Sequence, residues 1–166
     1  CFAAIEVARN AGARISYDPN LRLKLWPLAR AKAVILATVA LADWITPSLD
    51  DARLLFDRDD PDPIIDACHG AGTPLVVLKC GAEGCIVSDG TRREKIPGNP
   101  VRAVDATGAG DCFDGAFAVR LTAGDNPFKA ARYANAAAAL ATTGFGAVAP
   151  LPTNDAVLAF LRKAPQ

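Results

Sequence analysis

The chain has 166 residues, 51% hydrophobic and 22% charged, a balance that matches globular domains and excludes wholesale disorder. Lysine plus arginine and aspartate plus glutamate number 18 each, so the net charge is zero and no basic excess marks a nucleic-acid surface. No apolar run reaches the roughly 18 residues needed to cross a bilayer, so neither nucleic acid nor membrane is expected as a partner, and a cytoplasmic setting is. The chain starts at Cys1 and contains no methionine, which makes a fragment of a longer protein the expectation, and Cys1 to Asn10 lacks the basic stretch of a signal peptide. Its length fits one domain-sized unit. The five cysteines, Cys1, Cys68, Cys80, Cys85 and Cys112, are odd in number and lack CxxC spacing, so reduced thiols are expected. His69 has no Cys or His partner near it in sequence to share a metal.

Strand and helix signals alternate along the chain. Phe2 to Ala11 reads as a helix stopped by Gly12. Arg14 to Tyr17 reads as a strand running into Asp18-Pro19-Asn20. Leu28 to Leu41 is a helix after Trp26-Pro27, and Trp44 to Thr46 is a short strand ended by Pro47. Ser48 is a candidate N-cap with Asp51 at N3, before a helix carrying Ala52, Leu55 and Phe56 on one face. Pro63 to Ala71 is a helix stopped by Gly72. Leu75 to Leu78 is a continuous apolar run, as in a strand covered on both faces. Cys85 to Ser88 and Thr91 to Ile96 flank the hairpin signal Asp89-Gly90. Val101 to Val104 reads as a further strand, and helices follow over Gly108 to Ala123, Pro127 to Thr143 and Asn154 to Lys163. The alternation predicts an α/β fold, a mainly parallel sheet flanked by helices on both faces.

The most informative segment is Val104-Asp105-Ala106-Thr107-Gly108-Ala109-Gly110-Asp111. Gly108 and Gly110 allow a sharp turn and close approach of the backbone to a ligand. The helix that begins here aims free N–H groups and the positive end of its dipole into the turn, which suits a phosphate. Asp111 has two readings: a structural cap, or a base that takes a proton from an attacking hydroxyl.

Asp105 to Asp111, followed by Phe113-Asp114-Gly115-Ala116-Phe117, resembles the C-terminal signature of the ribokinase (PfkB) carbohydrate kinases. It is not a Walker A loop, because no Gly-Lys-Ser/Thr follows. The resemblance implies a ribokinase-like fold and ATP with Mg²⁺, and a small-molecule sugar or sugar acid as acceptor. Asp111 becomes the base and also touches the sugar; the N–H groups of Gly108, Ala109, Gly110 and Asp111 become the anion hole. Val77 to Gly84 is similar to the family's nucleotide-contacting strand and loop, implying Lys79, Gly81, Ala82, Glu83 and Gly84 as ATP contacts, with Gly110 and with Asn135 beside the adenine. The alternatives are two glycines in a simple strand–turn–strand and, for Asn135, an ordinary amide on a helix surface. Ser48 and Asp51 stand where the family has Asn-x-x-Glu, an indirect Mg²⁺ site, though they also fit a capping box. Asp105, Thr107, Ala141, Gly144 and Gly146 match a loop that holds a monovalent cation such as K⁺ in relatives; Pro150 replaces a serine at its end.

Asp18-Pro19-Asn20-Leu21-Arg22-Leu23-Lys24-Leu25-Trp26 resembles the 2-keto-3-deoxygluconate kinases and some fructokinases. That resemblance places Arg22 near the sugar acid and the phosphates, where its planar fork would pair bidentately with an anion. A surface charge beside a Pro-broken turn is the alternative. The substrate reading is therefore 2-keto-3-deoxygluconate, with fructose, ribose or a nucleoside as alternatives, and a non-catalytic nucleotide-binding fragment as the reading of another class. Resemblance runs from about Ala13 to Leu161 and covers the C-terminal half of the family's architecture, so the substrate and lid half is expected to be missing. A homo-oligomer is expected of the intact enzyme.

Overall fold

The computed structural model describes residues 2–163. The described residues divide into two compact units: residues 2–79 with 88–93, and residues 80–87 with 94–163.

The first unit is built from parallel β–α–β connections. Helix α1 (Phe2–Asn10) buries no side chain. Strand β1 (Ser16–Tyr17), helix α2 (Leu28–Val39) and strand β2 (Trp44–Ile45) follow. Then come α3 (Leu49–Phe56), α4 (Pro61–Gly70) and strand β3 (Val76–Lys79). β1 pairs parallel with β2, Ser16 opposite Trp44, and β2 pairs parallel with β3, Ile45 opposite Val76. Val76, Val77 and Leu78 are fully buried, as a strand covered on both faces requires. Ile35, Val39, Ile45, Leu55, Ile64 and Ile65 complete this core. α4 starts earlier than the sequence predicts because Pro61 occupies its first turn, where a missing N–H costs nothing.

The second unit carries the arms of a hairpin, β4 (Gly84–Ser88) and β5 (Arg93–Pro97), and three helices, α5 (Ala109–Thr122), α6 (Pro127–Ala141) and α7 (Asn154–Lys163). At the hairpin tip the Asp89 carboxylate accepts the N–H groups of Thr91 and Arg92, the Asx geometry that fixes such turns. α6 buries alanines at 130, 131, 134, 136, 137 and 141, and α5 and α6 pack side by side. Asn126 caps α6 by accepting the Lys129 N–H, and Thr153 caps α7 by accepting from Ala156. Within the first unit the strands lie in the order β1-β2-β3, all parallel.

One predicted strand is absent. Val101–Val104 forms no ladder; the N–H groups of Val104 and Asp105 both donate to the Thr142 carbonyl, at 2.7 and 3.1 Å. The segment approaching the Gly108 turn is therefore a loop anchored to the end of α6. Cys68, Cys80, Cys85 and Cys112 are free thiols, and burial pushes those of Cys68 and Cys85 up to about 12. Cys1 lies outside the described residues. Among the described residues no helix is long and apolar enough to cross a membrane.

Candidate active site

In the second unit the turn before α5 is shaped by Gly108, which adopts φ +76° as the residue preceding the helix. A Cβ there would lie 2.8 Å from the Ala147 side chain, so the position is closed to larger residues by both strain and space. The Ala109 N–H is already committed to the Ala106 carbonyl at 3.2 Å, which removes it from the expected set of anion donors. Helical geometry leaves Gly110 and Asp111 N–H without an acceptor inside α5. Asp111 sits at the third helical position and is exposed. A cavity of about 530 Å³ opens beside it, lined by Gly108, Asp111, Cys112, Gly115, Ala116 and Ala147 among others. Cavities of this size suit small-molecule ligands.

Asp105 ties two loops together. One carboxylate oxygen accepts the Thr107 hydroxyl at 2.7 Å and its N–H at 2.9 Å; the other accepts the Gly146 N–H at 2.9 Å. The Thr107 hydroxyl first, and then the two backbone donors, hold its pKa below the usual carboxylate range. Pro150 packs on Gly144, whose added Cβ would lie 2.9 Å from the proline ring. Of the predicted cation-loop residues, Thr107 and Gly146 are thus the ones that contact the Asp105 carboxylate. The described residues hold no group of three or more His, Cys, Asp or Glu that could bind a metal. Backbone carbonyls and one carboxylate are the donors on offer, a set that suits a hard cation.

The predicted nucleotide loop is a single 3₁₀ turn, Gly81–Glu83. The Cys80 N–H donates to the Gly84 carbonyl at 2.8 Å, and the Gly98 N–H to the Glu83 carbonyl at 3.0 Å. Gly84 adopts φ +95°. Glu83 pairs with Lys95 at 2.8 Å, which lowers the Glu83 pKa through the hydrogen bond and then the charge. Asn135, expected beside the adenine, is buried; its amide nitrogen donates to the Ile96 and Pro97 carbonyls at 3.3 Å each. In this unit it supports β5, because a buried amide must find partners. Gly98 was invisible as a site residue in the sequence, since its constraint comes from a loop well before it in the chain: a Cβ there would collide with the Ala82 carbonyl oxygen.

In the first unit, Lys79 and Asp51 do not stand free to meet a nucleotide or metal. Lys79 Nζ pairs with Asp18 at 3.0 Å, and an Asp51 oxygen accepts the Leu21 N–H at 3.1 Å. Ser48 Oγ accepts the Asp51 N–H at 3.1 Å, so the capping reading of Ser48 holds. The reciprocal half of the capping box does not form, because the Asp51 carboxylate turns to Leu21. Arg22 is exposed, with Nη1 donating to the Leu21 carbonyl at 3.1 Å.

Comparison with known proteins supplies the family. A model of the pfkB family carbohydrate kinases matches residues 1–154. The chain belongs to the pfkB family of carbohydrate kinases. Within that family, the chain is 35% identical over 172 residues to fructokinase-2 of Oryza sativa subsp. japonica, covering 98% of this chain and 51% of that protein. The crystal structure of fructokinase from Vibrio cholerae O395, bound to fructose, ADP and a calcium ion, superposes with a TM-score of 0.90 at 34% identity, over 96% of this chain and 54% of that one. Aminoimidazole riboside kinase from Salmonella enterica, complexed with aminoimidazole riboside and an ATP analogue, gives a TM-score of 0.87 at 30% identity, over 96% and 57%. The chain thus has the ribokinase-like fold and spans about half the length of the relatives it matches. The pfkB expectation stands, while the curated relatives matched carry fructokinase names where the sequence motif pointed to a ketodeoxygluconate kinase.

Proposed function

We propose that the protein carrying this chain is an ATP-dependent sugar kinase that phosphorylates a hydroxyl of fructose. The observation that carries the chemistry is the placement of Asp111 at the third position of α5, exposed and bordering the cavity of about 530 Å³. In this reading the Asp111 carboxylate accepts the proton of the attacking hydroxyl. The sugar oxygen forms a bond to the γ-phosphorus as the bond to the leaving oxygen breaks, and ADP departs. The N–H groups of Gly110 and Asp111, at the positive end of α5, hold the transferring oxygens. Mg²⁺, when bound, would neutralise phosphate charge. Ser48 has no part in that scheme beyond capping α3.

Fructose is favoured over 2-keto-3-deoxygluconate because relatives covering nearly the whole chain are named fructokinases. The second reading keeps one specific support: Arg22, exposed next to a fastened turn, is the residue type that pairs with a carboxylate. A panel of sugars assayed with ATP separates the two by kcat/KM. Asp111→Asn is expected to lower turnover by about a hundred- to ten-thousandfold, the span of general-base catalysis. Unchanged turnover in that variant removes Asp111 as the base.

A further inference from the structure

The segment joining β1 to α2 is fastened on both sides of its one left-handed residue. Asn20 adopts φ +42°, a conformation that non-glycine residues occupy only when their surroundings impose it. Before it, one Asp18 oxygen accepts the Asn20 N–H at 3.1 Å while the other receives Lys79 Nζ at 3.0 Å, from the end of β3. This pair is largely withdrawn from water, with side chains 13% and 24% exposed, so solvent screens it less than a surface pair. After Asn20, the Leu21 N–H donates to the Asp51 carboxylate on α3 at 3.1 Å, and the Leu21 side chain is buried. Arg22 is the next residue. Two charged side chains from two different elements therefore fix the backbone from which Arg22 projects. The chain around Lys79 is itself held, because its N–H donates to the Pro47 carbonyl at 2.8 Å and Ser48 bridges it in parallel register.

We propose that Lys79 and Asp51 are positioning residues that latch the Asp18–Arg22 segment and so set where the Arg22 guanidinium meets the sugar substrate. This rests on the second, sugar-acid reading above, in which Arg22 pairs with the carboxylate of the acceptor. It replaces the expectation that Lys79 touches nucleotide and Asp51 serves Mg²⁺. A planar guanidinium pairs productively only over a narrow range of orientation, so a loosened latch misplaces the group without removing it.

The test uses the full-length enzyme with Asp18→Asn, Lys79→Met, Asp51→Asn and the Asp18→Asn/Lys79→Met double variant. Three readouts are needed: KM for sugar and for ATP, the Mg²⁺ dependence of rate, and the rate of tryptic cleavage after Arg22 and Lys24 in the absence of substrates. Each single variant is expected to raise the sugar KM by roughly ten- to a hundredfold. ATP KM and Mg²⁺ half-saturation should stay within about twofold, and cleavage at Arg22 and Lys24 should quicken. The double variant should be no worse than the worse single, as expected of two partners in one interaction. Lys79→Arg, which keeps the pairing charge, should rescue both the sugar KM and protease resistance, and it covers the case in which Lys79→Met fails to fold. A raised ATP KM in Lys79→Met with Asp18→Asn silent, or a shifted Mg²⁺ dependence in Asp51→Asn, overturns the latch in favour of direct contacts. If the wild-type enzyme phosphorylates no sugar acid, the sugar-acid reading fails by itself, and the cleavage rates still decide whether the latch exists.

Discussion

A Cβ on Gly84 would be driven into the Ile96 carbonyl oxygen and would lie 2.5 Å from Gly98 N, at a φ of +95° that side chains rarely adopt. Gly81, three residues earlier, also has positive φ, at +59°, yet nothing lies within 4 Å of its would-be Cβ. The two glycines at the ends of one short turn thus separate conformational strain from steric collision. Gly81→Ala should cost about 1 kcal/mol, the left-handed penalty alone. Gly84→Ala adds a clash with backbone that has no rotamer to yield, and should cost about 3 kcal/mol or more. Urea unfolding of the two variants checks this: equal losses would mean that the chain over Ile96–Gly98 gives way and the close approach is not a constraint. Both glycines stand out in the sequence, but nothing local tells them apart. The same holds for Gly98, whose restriction is imposed from Ala82.

At the level of elements, the Asp105 carboxylate joins the approach to α5 to the loop after α6. Its pKa lies below the ordinary 3.8 because the Thr107 hydroxyl, the Gly146 N–H and the Thr107 N–H all favour the charged form. A carboxylate with a depressed folded-state pKa adds stability that is fully present above its unfolded pKa and is lost as pH falls through the folded value. The Tm gap between wild type and Asp105→Asn should therefore be constant from neutral pH down to about pH 4 and narrow below it. A gap that persists unchanged into strong acid would show that the charge contributes nothing and only the shape of the side chain matters. Elements fixed by local chemistry were legible beforehand. The Asp89-Gly90 hairpin follows from an Asx turn, the buried run Val76–Leu78 from continuous apolarity, and the start of α6 from Pro127. What misled was non-local. Val101–Val104 has strand-like residues, but its last N–H groups are claimed by Thr142 at the end of α6. Asn135 reads as a helix-surface amide until β5 is placed beneath it. The motif residues Gly108 and Asp111 were legible because turn and helix start are adjacent in sequence; the ties of Lys79 to Asp18 and of Asp51 to Leu21, across 61 and 30 residues, were not.

For the whole molecule, the distribution of exposed apolar side chains matters more than their number. Val119, Val148 and Leu151 are 64%, 77% and 47% exposed, and all three line the cavity beside Asp111, so in the second unit they form a grouped surface around one opening. Phe145, in the loop that also carries Val148, is 79% exposed. Single apolar residues on a surface are ordinary, whereas a cluster around a cavity mouth marks a surface that another body covers. The 166-residue polypeptide by itself should accordingly self-associate, its light-scattering mass rising with concentration. Val148→Asp with Leu151→Asp places two charges on that surface, at positions that are exposed already and therefore cost the fold little. The double variant should remain monomeric over the same concentration range. A wild-type chain that stays monomeric throughout would mean that these side chains are scattered on the surface and attract nothing. Association that persists in the double variant would place the contact elsewhere on the chain.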